Sequence, residues 1–160
     1  MEVFEQTAKR TNLWLFALQL GFFAGLIWGG LQLTAYFFRF TAVVPGFMAE
    51  PFFYHAYLKS VPGLFVGWAV FALFSVLASF LYAALFRKAK GPWPGIAYGI
   101  AWWAIWFVLI GPAIDAVKPI TALDRNSFFT ELCLFLLWGL FIGYTINFEF
   151  TEEREGEAAA

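Results

Sequence analysis

The chain has 160 residues, 62% of them hydrophobic and 13% charged, with a formal net charge of −1. A soluble domain devotes about 25% of its residues to charge, so this chain cannot cover its surface with polar groups, and its mean hydropathy of +0.73 points to lipid as the solvent. Near-neutrality excludes a strongly basic nucleic-acid surface, and a single cysteine, Cys133, excludes an intrachain disulfide framework or a cysteine-rich metal site.

Residues 1–12 (MEVFEQTAKRTN) are polar and expected at the membrane surface, with Asn12 as a helix N-cap. Residues 13–38 form the first expected span. It exceeds the roughly 20 residues needed to cross the hydrocarbon core, so it should tilt or project beyond the lipid. It follows Lys9 and Arg10 and is too long for a signal-peptide core, which makes it a retained anchor. Arg39 closes it. Residues 40–60, broken by Pro45, Gly46 and Pro51, are expected as an aromatic loop lying in the interface.

Ser60 and Pro62 begin the second span, 62–86. Arg87, Lys88 and Lys90 follow it, where the negative end of the helix dipole favours cations. So few residues precede Trp93 that the second and third spans are expected to form a tight antiparallel hairpin. The third span, 93–111, has proline and glycine at both ends. A loop over 113–126 carries Asp115, Lys118, Asp124 and Arg125. Ser127 is expected to cap the fourth span, 128–148, with Glu131 in a first turn that favours an acid. Residues 151–160 are acidic and expected to be disordered. The polar start, a single transmembrane domain over 13–150 and the tail make up the chain.

Four spans put both termini on one side. With the N-terminus inside, Lys9, Arg10, Arg87, Lys88, Lys90 and Arg154 face Arg39, Lys59, Lys118 and Arg125 across the membrane. The compact 87–90 cluster is the strongest part of that bias, and it favours an N-in, C-in topology with both long loops extracytoplasmic.

Glycines recur at i, i+4 in every span: Gly21, Gly25 and Gly29; Gly63 and Gly67; Gly95 and Gly99; Gly139 and Gly143. Nine of the fourteen glycines fall in this pattern, so spacing rather than abundance is informative. Small residues one turn apart let membrane helices approach closely. The simpler reading is packing within the bundle. The functional one is a self-association face, best placed on the three-glycine stripe of the first span. In the third span, at 100° per residue, Gly99, Trp106 and Trp102 lie at about 40°, 20° and −20° from Gly95, one stripe that is bare at one end and bulky at the other. With Trp68 on the second span, this suggests a bundle pinched on the inner side and splayed outward into an aromatic cleft. Arg39, Asp115 and Lys118 form its outer rim. Core filling is the competing reading of the tryptophans.

No ionisable residue falls in the middle of a span. Intramembrane charges mark proton relays and ion pathways, so their absence argues against a pump. Glu50, His55 and Asp115 could serve acid, base or metal-ligand chemistry, but no HExxH, nucleophile elbow or phosphate-binding loop accompanies them. No cofactor is expected, and structural ion pairs such as Asp115 with Lys118 or Arg39 are the better reading of the rim.

Several segments in order, Trp28-Gly29, RFT at 39–41, EPF at 50–52, WPG at 93–95 with Tyr98-Gly99, the GP-xx-D-xx-KP run over 111–119 and FIGY at 141–144, resemble the YqhR family of small membrane proteins from Bacillus-type bacteria. The resemblance covers roughly residues 20–150. It implies a multi-pass protein of the cytoplasmic membrane and supplies no catalytic residues. The expectation is therefore an all-α integral membrane four-helix bundle in a bacterial cytoplasmic membrane. Its expected role is non-enzymatic: binding a membrane-protein partner, a second copy or a lipid. The alternative is an oligomeric pore or carrier for a small neutral or lipophilic solute, which a water-accessible polar stripe would favour.

Overall fold

The computed structural model of the chain describes residues 12–159. The polar segment before Asn12, with Lys9 and Arg10, lies outside the described residues. Four helices are long and apolar enough to cross a membrane: α1 (Leu13–Phe37), α2 (Val61–Phe86), α3 (Trp93–Ala113) and α4 (Arg125–Ala159). No strand occurs among the described residues.

Local chemistry sets the helix ends. Asn12 caps α1, its side chain accepting the Trp14 N–H at 3.1 Å. Ser60 caps α2 through the Gly63 N–H at 3.2 Å, ahead of a proline that needs no donor there. At the far end of α1, the Phe40 N–H reaches Ala35 O at 2.8 Å and the Arg39 N–H reaches Tyr36 O at 3.1 Å. The end of α3 repeats this, with the Ala116 N–H on Gly111 O at 2.9 Å and the Asp115 N–H on Pro112 O at 3.4 Å. Both are Schellman terminations, which ordinarily place glycine in the left-handed position. Here Arg39 (φ 61°) and Asp115 (φ 56°) occupy it instead.

Inside α3, residues Ile105–Ile110 widen into a π-turn, and the Gly111 N–H bonds Trp106 O. Pro112 lacks an amide donor, and its ring would crowd the carbonyl four residues back. The wider turn relieves that conflict without breaking the span.

The helices assemble as two close pairs. α1 lies along α2, α3 lies along α4, and α1 borders α4. The glycine spacing produces these approaches. A Cβ at Gly21 would come within 2.7 Å of Val76 Cα, and one at Gly95 within 2.8 Å of Gly139 O. The expected tight hairpin of α2 and α3 is not what the chain adopts. Their connection is short, but their backbones stand apart and meet through rings, Phe74 on Trp102 at 4.9 Å and Tyr82 on Tyr98 at 5.0 Å. Large aromatic side chains occupy the facing stripe and hold the backbones away from each other.

Three further expectations are corrected. The cap of α4 is Asp124 rather than Ser127: its carboxylate accepts the Ser127 N–H at 3.0 Å and the Ser127 hydroxyl at 2.7 Å, so the helix starts at Arg125. The tail is not disordered as far as Ala159 but continues α4. Extending an existing helix avoids the nucleation cost, and Glu, Arg and Ala are good helix formers. Finally, the loop over 40–60 does not simply lie in the interface. Its first half, residues 43–49, is buried, with Gly46 against Gly67 and Phe47 fully enclosed; residues 51–57 remain exposed.

Candidate functional site

The seam between the helix pairs is filled. Trp138 is fully buried, lies nearly parallel to Phe74 with centroids 5.6 Å apart, and donates its indole N–H to Ser75 Oγ at 2.9 Å. Towards the helix termini Tyr98 donates to the Ala78 carbonyl at 2.6 Å, and the Asn147 amide donates to the Tyr82 hydroxyl at 2.9 Å. These bonds satisfy polar groups inside apolar surroundings, where unpaired ones are costly.

The expected aromatic cleft lies at the loop end of this seam, and it is closed. Trp102 and Trp106 are half-buried and both set their rings edge-on to Phe74, at 4.9 Å and 5.9 Å. Phe47, folded in from the first loop, fits against Trp106 at 5.6 Å and Phe107 at 5.5 Å. Trp68 belongs elsewhere. It lies against Gly29 and Gly30 of α1 and donates its N–H to Leu26 O at 2.9 Å. A span-by-span pattern could not reveal Phe47 as the plug, because its place depends on the fold of a loop.

The glycine stripe of α1 is likewise taken up within the chain. Gly21 faces Val76 and Ser79, Gly25 faces Ala72 and Ser75, and Gly29 faces Trp68 and Phe71. It is therefore not the face a second copy would meet. Gly95 and Gly99 lie against Gly139, Gly143 and the Phe135 carbonyl in the same way.

The rim residues divide. Arg39 joins Lys59 and Asp124 at a groove of about 960 Å3 between the end of α1 and the start of α2. Its walls are apolar, chiefly Leu33, Phe37, Phe38, Val61, Leu64 and Phe65, and Thr41 lines it as well. Asp115 and Lys118 are exposed but do not line it. Asp115 makes no ion pair with Lys118 or Arg39; its place is the termination of α3. The Ser127 backbone N–H, then its hydroxyl, hold the Asp124 carboxyl below the usual carboxylate range, and the charge of Lys118 assists. Glu50 and His55 contact each other, but no group of three acidic, histidine or cysteine residues converges among the described residues, so Asp115 does not join them.

Behind the groove sits the residue that sequence reasoning undervalued. Glu131 is completely buried. Its Oε1 accepts the Thr41 hydroxyl at 2.7 Å and its Oε2 accepts the Gln32 amide at 3.1 Å. Thr41 also accepts the Val43 N–H at 3.1 Å, and Ser127 accepts the Ala42 N–H at 2.7 Å, which pins the segment after α1 onto α4. The signal was an acid in an otherwise uncharged span, but its position near the helix start allowed a solvated reading.

The family model describing the conserved membrane protein YqhR matches residues 2–160. The YqhR protein of Bacillus subtilis (strain 168) is 34% identical over 132 residues, covering 82% of this chain and 74% of that protein. No solved structure matches.

Proposed function

The chain belongs to the YqhR family of conserved membrane proteins, and within that family we propose that it acts without catalysis, as a binder of an anionic lipid in the cytoplasmic membrane. The groove between α1 and α2 carries this reading. Its volume of about 960 Å3 falls at the upper end of ordinary ligand pockets, and its apolar walls suit an acyl chain. Arg39 and Lys59 stand over those walls with one acid, Asp124, whose carboxylate is already engaged by Ser127. A phosphate headgroup held by the two cations, with its chain against Phe37, Leu64 and Phe65, satisfies both halves of the site. The termini lie on the cytoplasmic side in this reading, with the 87–90 cluster inside and the groove facing the outer leaflet.

The pore or carrier reading has less support. The groups lining the seam, Ser75, Trp138, Tyr82, Tyr98 and Asn147, bond mainly to one another or to backbone, and only the Ser79 hydroxyl and the Asn147 carbonyl oxygen are left without a partner there among the described residues. An assembly face on α1 would have to avoid its glycine stripe, which α2 covers.

Lipid analysis of the full chain in nanodiscs of mixed anionic and zwitterionic phospholipid tests the proposal. Retained lipid should be enriched in the anionic species, and Arg39→Glu with Lys59→Glu should abolish the enrichment. Leu64→Trp should reduce the amount retained by filling the groove. Retained lipid with the composition of the bulk, unchanged by either variant, would overturn it.

A further inference from the structure

A second site lies deeper than the groove and has a different chemistry. A small, partly open pocket of about 10 Å3 is lined by Trp28, Gln32, Phe71, Glu131, Leu134 and Phe135. That space is at the lower limit for one water, which needs about one probe sphere of volume and at least two polar partners. Glu131 and Gln32 reach the pocket wall, and so does Trp28, whose buried indole N–H has no acceptor among the described residues. An indole N–H can only donate. A water there would accept from Trp28 and donate towards the carboxyl of Glu131.

The other side of the same carboxyl leads outward. Glu131 Oε1 bonds the Thr41 hydroxyl, and Thr41 lines the groove. A hydroxyl both donates and accepts, so Thr41 can take a proton from a hydronium ion in the groove, leaving water, as it passes its own to Oε1. The reverse transfer returns it, and no other atom changes hands. The rest of the pocket lining, Phe71, Leu134 and Phe135, is apolar and offers no further proton carrier, so the arrangement stores a proton and does not conduct one across the bundle.

We propose that Glu131, with Gln32, Trp28 and one bound water, forms an exchangeable proton-binding site that communicates with the groove through Thr41. The charges around it are few. α1, α2 and α3 contain no ionisable acid or base of the Asp, Glu, Lys, Arg or His type. Arg39 on the segment after α1, Lys59 before α2 and Asp124 before α4 are exposed at the groove, and none is ion-paired with Glu131. Glu131 is therefore the group whose charge the interior of this end must accommodate, whether or not a lipid occupies the groove.

Infrared difference spectroscopy of the full chain in lipid, stepped between acid and alkaline buffer, tests this. A carboxylic-acid carbonyl band should rise on acidification, shift in heavy water and vanish in Glu131→Gln. Trp28→Phe should move the band without removing it, and Thr41→Val should slow its hydrogen–deuterium exchange at least several-fold. A wild-type spectrum with no such band, or a band that survives Glu131→Gln, overturns the site. A band indifferent to Trp28→Phe and Thr41→Val overturns the water and the route. Should Glu131→Gln fail to fold, the indole N–H resonance of Trp28 in the wild-type chain decides the matter. It must follow pH with the midpoint of the infrared band, and a resonance constant with pH sinks the proposal.

Discussion

Gly99 and Gly139 meet backbone to backbone: a Cβ added to Gly139 would overlap the Gly99 amide and Cα, and one added to Gly99 would overlap the Phe135 carbonyl. No rotamer change can relieve a clash with backbone, so this contact sets how near α3 and α4 can lie. Gly139→Ala is expected to destabilise the chain by about 1–3 kcal/mol, the usual cost of overpacking. Thermal unfolding in detergent measures it. Gly25→Leu should be at least as damaging, because Gly25 faces Ala72 and Ser75 inside the same chain. A well-folded Gly25→Leu protein that had merely lost an oligomer would contradict the burial of that stripe.

Ser75 matters through Trp138. Without its hydroxyl the indole N–H at the centre of the seam loses its acceptor. Ser75→Ala should cost about 1–2 kcal/mol, towards the lower figure if the reference state in lipid finds a substitute partner. Double replacement with Trp138→Phe should cost less than the sum of the two single losses, because the bond is then counted once. Equal additivity would mean the hydrogen bond contributes nothing.

Arg39 is held in a left-handed conformation that costs an L-residue about 1–2 kcal/mol. Arg39→Gly should therefore raise thermal stability by an amount of that order, about 1 kcal/mol. The same change removes a cation from the groove and should weaken anionic-lipid retention. Opposite movements of stability and binding are the expected signature of strain kept for a site. A variant that loses both would assign Arg39 a purely structural role.

Asp124 gives a pH dependence of known sign. Its carboxyl has a lower pKa folded than unfolded, because the Ser127 N–H and hydroxyl favour the charged form. Its contribution is thus present at neutral pH and fades as pH falls through the folded value. Asp124→Asn should flatten that part of the acid stability profile while keeping much of the cap; Asp124→Ala should lose about 1 kcal/mol at neutral pH. An acid profile identical in wild type and Asp124→Asn would show that other carboxylates govern it.

Topology can be read by labelling. Cysteine at Lys88 should be shielded from a membrane-impermeant reagent in intact cells, and cysteine at Lys118 should react, each in a Cys133→Ser background. Reaction of the position-88 cysteine from outside would place the groove on the cytoplasmic side.

Much of the fold was legible in the residues themselves. Span number and position follow from the length of apolar runs, because every backbone polar group in lipid must be bonded within its own helix. The i, i+4 glycines announced close helix contacts for a related reason: only a missing side chain permits backbones to touch. The sequence could not say which helix each glycine would meet, nor that α2 and α3, joined by so short a link, would be held apart by Phe74, Tyr82, Tyr98 and Trp102. The loops carried the larger surprises. Phe47 closes the expected cleft, Thr41 and Gln32 enclose Glu131, and Arg39 meets Lys59 across a groove instead of meeting Asp115. Those outcomes depend on contacts between residues up to 99 positions apart. Solvation by lipid and the helix repeat are local to each segment, so the sequence by itself determined the spans and their small-residue faces. Ring packing, the return of the first loop into the bundle and the satisfaction of a buried carboxyl are settled only when all four helices are in place, so the tertiary structure alone decided the sites.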